Sequence, residues 1–137
     1  MVSSSLPKKA VPLAEEYLHL IAQRSLSEAE RTLEKIRLEV RGTPWQKGYT
    51  NALEGMLVAI KSGDTRYVYM NRLDASERKM VDEARQRFHK EARNPFEGEF
   101  DRGFFAAWAE FLHLLKEVVG ETKEEPRTLN SYLERKT

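Results

Sequence analysis

The chain has 137 residues, of which 40% are hydrophobic and 33% are charged, and its formal net charge is +1. This length predicts one domain with its own hydrophobic core, and the absence of cysteine excludes disulfides, thiolate catalysis and cysteine-ligated metal sites. No apolar stretch approaches the roughly 20 residues of a membrane span. Glu15 and Glu16 also interrupt the apolar run that a signal peptide would need. We therefore expect a cytoplasmic protein.

The first helix is predicted over about 12–24, after a Ser-rich tail at 1–10 that we expect to be disordered. Pro12 suits a first helical turn, and Leu13, Tyr17 and Ile21 recur at helical spacing. The second helix is predicted over about 28–41, with Ser27 as its N-cap and Glu30 completing a capping box. Gly42 is expected to end it.

The third helix is predicted over about 44–61, because Thr43 can cap it and Pro44 suits its first position. The segment 65–73 is ambiguous: its β-branched and aromatic residues favour a strand, but no other segment reads as a partner strand. We therefore expect a loop or short helix there. Two further helices are predicted, over about 75–92 and 97–119, the second apolar around much of its circumference. A charged linker and a short helical segment occupy 121–137.

Residues 27–60 overlay residues 82–115 without gaps when the chain is shifted by 55 positions. Six positions are identical in this overlay, among them Gly48/Gly103 and Ala52/Ala107, and the apolar positions keep their register throughout. We interpret the two segments as similar helical hairpins that bury their apolar faces on each other. The predicted fold is an all-α bundle of five to six helices in one domain spanning 11–120.

The two glycines of this repeat lie inside predicted helices, where glycine costs roughly 1 kcal/mol relative to alanine. Each precedes an alanine by one turn, so that Gly48 with Ala52 and Gly103 with Ala107 form flat strips on the helix surface. Gly55 and Ala59 would extend the first strip. We predict that the strips allow another helix to approach closely; a groove for a ligand or partner helix is the alternative.

No signature of catalysis or metal binding stands out. None of His19, His89 and His113 has a second histidine or a cysteine at metal-ligand spacing, and we expect His113 to pack or cap on its apolar helix. The glutamate pairs Glu30/Glu34 and Glu117/Glu121 do not begin Glu-x-x-His motifs, so they do not indicate a di-iron site. Phosphate loops and Gly-x-Ser-x-Gly are missing. We expect no cofactor and no metal; an enzyme with an unrecognised site is an alternative.

The basic stretch 61–93 is the candidate for nucleic-acid binding. It holds nine lysines and arginines and two neighbouring tyrosines, although six acids share it. Basic side chains interleaved with aromatics suit phosphate contact and base stacking. The candidate residues are Arg66, Tyr67, Tyr69, Arg72, Arg78, Lys79, Arg85, Lys90 and Arg93. A sequence pI near 8.0 is low for such a domain.

The C-terminal segment offers a candidate for partner docking, because Leu129, Tyr132 and Leu133 are spaced i, i+3, i+4. This spacing partly resembles the sliding-clamp-binding box, but the leading glutamine and the second aromatic are missing. The sequence thus predicts a non-enzymatic helical binding or adaptor protein. Its expected partners are other proteins or further copies of itself, with nucleic acid as the alternative and no membrane partner.

Charge and composition carry two further expectations. Residues 1–93 hold 17 basic and 13 acidic side chains, whereas residues 94–137 hold 6 and 9, so the two parts of the chain differ in sign. The chain also has only four asparagines and three glutamines beside abundant Arg, Glu and Lys. This composition is typical of proteins from hot environments, and we take a thermophilic source as a hypothesis.

Overall fold

A computed structural model describes residues 6–40, 42–62 and 75–121, with side chains to Ser62 and again over 79–117. It contains five α-helices, α1 (Ala10–Ala22), α2 (Leu26–Glu39), α3 (Pro44–Ser62), α4 (Ala75–Ala92) and α5 (Glu99–Glu121), and no strand within these residues. The all-α prediction is confirmed. The segment 65–73 and the predicted C-terminal helical segment lie outside the described residues.

The start of α3 is fixed by a reciprocal capping box. The Thr43 hydroxyl accepts a hydrogen bond from the Gln46 backbone N–H at 3.2 Å, and the Gln46 side-chain oxygen accepts from the Thr43 N–H at 3.4 Å. Two of the N–H groups that a helix start leaves without backbone partners are thereby satisfied. The predicted N-cap at Thr43 is confirmed.

The start of α2 differs from its prediction. The helix begins at Leu26, so Ser25 occupies the N-cap position and Ser27 lies inside the first turn. The capping box of Ser27 and Glu30 is therefore wrong. Ser25 makes no side-chain capping bond either, and its carbonyl accepts from the Ala29 N–H at 2.9 Å. The preceding turn already fixes where this helix starts.

The turn from α1 to α2 is a Schellman motif built on an arginine. Ser25 N–H donates to the Leu20 carbonyl at 2.9 Å and Arg24 N–H to the Ile21 carbonyl at 3.0 Å. Arg24 has a φ of 60°, the left-handed conformation that such a motif requires at this position. Glycine usually occupies this position, so no residue in the sequence signals the end of α1.

The core is one cluster to which all five helices contribute. The helix α5 packs extensively on α3 and α4, while α1 packs mainly on α2. Trp108 and Phe111 of α5 are almost wholly buried, as is Tyr17 of α1. The Tyr17 hydroxyl donates to the Leu53 carbonyl at 2.5 Å, which joins α1 to α3.

The N-terminal ends of α3 and α5 meet at the two repeat glycines. A Cβ atom added to Gly48 would overlap the backbone carbonyl of Phe100, 2.7 Å from its carbon. One added to Gly103 would overlap the carbonyl of Trp45 in the same way, 2.8 Å from its carbon. Only glycine permits this backbone approach at either position. By contrast, Gly55 has no neighbour within 4 Å, so it does not extend the strip.

The reciprocal glycine contact is the geometry that the 55-residue repeat would produce. Gly48 corresponds to Gly103 under this shift and Trp45 to Phe100, so each glycine touches the equivalent of its own neighbour. The hairpins themselves differ, because α4 and α5 pack extensively while α2 and α3 contact sparsely. The duplication therefore stays a prediction.

The described chain begins inside the segment for which we expected disorder. Leu6 and Ala10 are buried in the core cluster, and α1 begins at Ala10, two residues earlier than predicted. The N–H of Ala10 donates to the Pro7 carbonyl at 2.9 Å, which continues the turn backward from the helix. Leu6 therefore packs into the core at the N-terminal end of α1.

Candidate binding groove between α1 and α5

An open groove of about 450 Å³ lies between α1 and α5. Its volume falls in the range of roughly 300–1,000 Å³ typical of ligand pockets. Six of the nine described lining residues are titratable and three are apolar. The titratable residues are Glu15, Glu16, His19, Glu110, His113 and Glu117. The lining therefore carries four carboxyl groups and no lysine or arginine.

Helical spacing brings these side chains together. On α1, Glu15, Glu16 and His19 lie on the side opposite the buried Ala14 and Ile21. On α5, three residues spaced i, i+3 and i+7 form one stripe: Glu110, His113 and Glu117. That stripe borders the buried surface of Phe111 and Leu115. Each helix thus buries one face and turns a polar edge to the groove.

Both sides of the groove carry a Glu-x-x-His motif, Glu16-x-x-His19 on α1 and Glu110-x-x-His113 on α5. Neither motif contributed to the sequence-based prediction of a site, although both are visible in the sequence as Glu-x-x-His patterns. The expectation that His113 packs or caps is wrong, because its side chain is 48% exposed and pairs with Glu117 at 3.4 Å. What the sequence could not show is that the two motifs face the same groove.

A buried tyrosine positions one of the glutamates. The hydroxyl of Tyr49, a fully buried residue of α3, donates to Glu110 Oε1 at 2.6 Å. Burial raises the pKa of Tyr49 well above its usual value, and the nearby Glu110 carboxylate raises it further. The hydroxyl therefore stays a donor. Because Tyr49 is also stacked on Trp45, with ring centroids 5.3 Å apart, the Glu110 carboxylate has a fixed anchor.

The groove residues do not form a metal centre as placed. No group of three or more His, Asp or Glu side chains within the described ranges is arranged to hold a metal ion. Across the same ranges, no helix combines the length and the apolar character that crossing a membrane requires. The lining residues also include no serine, threonine or lysine that could serve as a nucleophile. The arrangement is suited to binding a positively charged group.

The candidate nucleic-acid residues are only partly described. Arg66, Tyr67, Tyr69 and Arg72 lie outside the described residues, as does the side chain of Arg78. Lys79 and Lys90 are exposed on α4, and Arg93 is exposed directly after it. Arg85 is paired with Asp82 at 3.2 Å, and Lys116 of α5 pairs with the same carboxylate at 2.9 Å. Both cations hold the pKa of Asp82 below its usual range, and the hydrogen bond from Lys116 has the larger effect.

Of the remaining candidate residues, those for partner docking lie outside the described part of the chain and those for helix packing lie inside it. Leu129, Tyr132 and Leu133 lie outside the described residues. The four residues named for helix packing, Gly48, Ala52, Gly103 and Ala107, are all buried. They belong to the contact between α3 and α5 rather than to an open groove.

Two aromatic side chains are exposed where α4 turns into α5. Phe96 is 95% exposed and Phe100 is 41% exposed. The Phe96 N–H donates to the Asn94 side chain at 2.9 Å, which fixes the turn that projects the ring outward. Exposed aromatic residues of this size are enriched in the cores of protein interfaces. This edge is a second place at which the fold leaves apolar surface open.

Comparison with known proteins adds no relative: no protein-family model, no curated protein and no solved structure matches this chain. The groove is therefore interpreted from its own geometry.

Proposed function

We propose that this chain is a non-enzymatic helical binding protein that acts through protein–protein contacts, with the groove between α1 and α5 as its contact surface. The groove itself carries the proposal. It combines apolar side chains with carboxylates at the open edge of two helices, so a partner could gain both apolar burial and charge complementarity there. A partner would contact α1 and α5 together.

Photo-crosslinking tests this surface. A photoreactive amino acid replaces His19 in the groove, and in a matched chain it replaces Lys35, an exposed residue of α2 away from the groove. Crosslinking in cells of the source organism should yield a distinct protein adduct from position 19 only. Equal adducts from both positions, or none from either, would contradict the proposal.

Cell fractionation of the same cultures tests the cytoplasmic location that we propose from the sequence.

Self-association is a second form of the same proposal, favoured by the exposure of Phe96 and Phe100. Sizing over a range of protein concentrations tests it. If these rings join two copies, Phe96→Asp should shift the protein towards the monomer. A monomer at every concentration in the unaltered chain would exclude this form.

Nucleic-acid binding is the alternative function, favoured by two exposed lysines on α4, Lys79 and Lys90, and by exposed Arg93 directly after the helix. Retention on immobilised nucleic acid should fall steeply with salt if these side chains contact phosphates. No retention at low salt would remove this alternative.

An affinity pull-down from source lysate, with and without nuclease, separates direct from nucleic-acid-mediated partners. The same pull-down with a chain ending at Gly120 tests the proposed docking role of Leu129, Tyr132 and Leu133.

A further inference from the structure

We propose that the groove between α1 and α5 recognises a partner segment rich in lysine and arginine. This inference rests on the proposed function and names the chemistry of the partner at that same site. The described lining residues include four glutamates and no lysine or arginine, so their charge complements a basic segment. Complementary potentials speed association and reject partners of the wrong sign.

Within the part of the chain that the structure describes, no ion pair neutralises the carboxylates on α1. Other acids of the chain have cationic partners: Glu54 pairs with Arg37 at 2.9 Å, and Asp82 pairs with Lys116 at 2.9 Å. Among the described residues, no lysine or arginine forms an ion pair with Glu15 or Glu16. A basic ligand would therefore find these two charges unpaired, rather than having to displace an internal ion pair.

The opposite wall presents a carboxylate whose position is already fixed. Glu110 is held by the hydroxyl of buried Tyr49 at 2.6 Å, which occupies one side of the carboxylate. A carboxylate held in one position is a strong hydrogen-bond acceptor for a charged donor. Fixing the acceptor beforehand lowers the entropic cost of binding. The groove thus has two exposed charges on α1 and an anchored charge on α5.

The apolar part of the lining distinguishes a basic side chain from a bare cation. Pro12, Leu18 and Leu114 lie in the same groove as the carboxylates. Lysine and arginine carry long aliphatic stems that pack on apolar surface while their charged ends reach polar groups. A metal ion would gain nothing from these contacts, and the described His and Glu side chains do not converge on one.

Fluorescence anisotropy with labelled peptides tests the inference. The probes are an Arg/Lys-rich peptide and a peptide of equal length in which every basic residue is glutamate. We expect the full chain to bind only the basic peptide, with an affinity that falls as salt is added. The double variant Glu15→Gln with Glu16→Gln should bind about tenfold more weakly.

The control variant removes two equivalent charges elsewhere. Glu28→Gln with Glu39→Gln changes two exposed glutamates of α2, so it alters the net charge equally and leaves the groove intact. Circular dichroism confirms that both variants fold. The basic peptide should bind this control as it binds the unaltered chain. Equal weakening in both double variants, or no binding of the basic peptide at low salt, would overturn the inference.

Three results separate the inference from the proposed function. A specific protein crosslink at position 19 without binding of the basic peptide overturns the inference and leaves the groove as the contact surface. Binding of Zn²⁺ alone, abolished by His19→Ala or His113→Ala, with no binding of the peptide, would overturn the inference in favour of a metal site. Binding of the basic peptide with loss on Glu15→Gln and Glu16→Gln supports it even if no crosslink is recovered.

Discussion

At the scale of single residues, the close backbone contact between α3 and α5 depends on Gly48 and Gly103. Each lies under the carbonyl group of an aromatic residue on the other helix, Phe100 or Trp45. An added methyl group would overlap backbone atoms, which cannot move aside as a flexible side chain can. The two helices would have to separate, and the core residues between them would lose contact.

We therefore predict that Gly48→Ala and Gly103→Ala each lower the free energy of unfolding by about 1–3 kcal/mol. This loss should occur although alanine gains roughly 1 kcal/mol over glycine from helix propensity alone. Chemical denaturation measures the difference.

Gly55→Ala provides the matched control, because Gly55 lies in α3 with open space around it. That variant should be more stable than the unaltered chain by about 0.5–1 kcal/mol. If Gly48→Ala is stabilised to the same extent, the α3–α5 contact is not as close as described.

The buried tyrosines make a second prediction at this scale. Burial raises the pKa of Tyr17 and of Tyr49 well above the usual value of about 10. Above pH 10 an unfolded tyrosine has lost its proton, while the folded one retains it. Unfolding then releases a proton, so stability is fully present below pH 10 and decreases as the pH rises above it.

The slope should be about 1.4 kcal/mol per pH unit for each buried tyrosine. Urea denaturation between pH 9 and pH 11.5 measures this slope. Tyr17→Phe should reduce it by the contribution of one tyrosine, about 1.4 kcal/mol per pH unit. Tyr17→Phe should also cost about 0.5–1.5 kcal/mol at neutral pH, because it removes the hydrogen bond to the Leu53 carbonyl. An unchanged slope in this variant would show that Tyr17 ionises in the folded state.

At the scale of elements, the helices divide into two groups by the extent of their packing. The first group is α1 with α2, and the second is α5 with α3 and α4. Between the groups, α2 contacts α3 sparsely and α1 touches α5 at few places. The ion pairs Arg37–Glu54 and Lys61–Glu30 also link α2 to α3. Being exposed, such pairs contribute about 0–1 kcal/mol.

We predict that α1 and α2 open together at a lower free energy than α3 and α5. Cooperative units with few contacts to the remainder of the fold unfold first in native-state exchange. Hydrogen exchange in low concentrations of denaturant should show slower exchange for amides of α3 and α5 than for those of α1 and α2. A single opening free energy for all four helices would contradict this division. The groove between α1 and α5 lies along the boundary between the two groups.

At the scale of the whole molecule, the composition predicts high thermal stability. The chain is rich in Arg, Glu and Lys and poor in asparagine and glutamine. A thermophilic source remains a hypothesis, and calorimetry tests it. We expect a thermal midpoint above the range of about 45–65 °C in which mesophilic domains cluster. A midpoint inside that range would contradict the hypothesis.

The sequence alone determined the helices and their faces. Apolar spacing, the proline at position 44 and the cap at Thr43 sufficed for α3, because helix formation depends on contacts within one segment. The same reasoning failed at Ser27. The turn before α2 is made by Arg24 in a left-handed conformation, and arginine carries no local signal for that conformation.

Only the tertiary structure decided which surfaces meet. It set the paired glycines under opposite carbonyl groups, and it placed two Glu-x-x-His motifs, 94 residues apart in the chain, along one groove. It also left the side chain of Phe96 exposed to solvent, although phenylalanine is as apolar as the residues of the core. The physical reason is the same in each case: a helical pattern fixes which residues share a face, whereas the neighbour of that face depends on how all five helices pack at once.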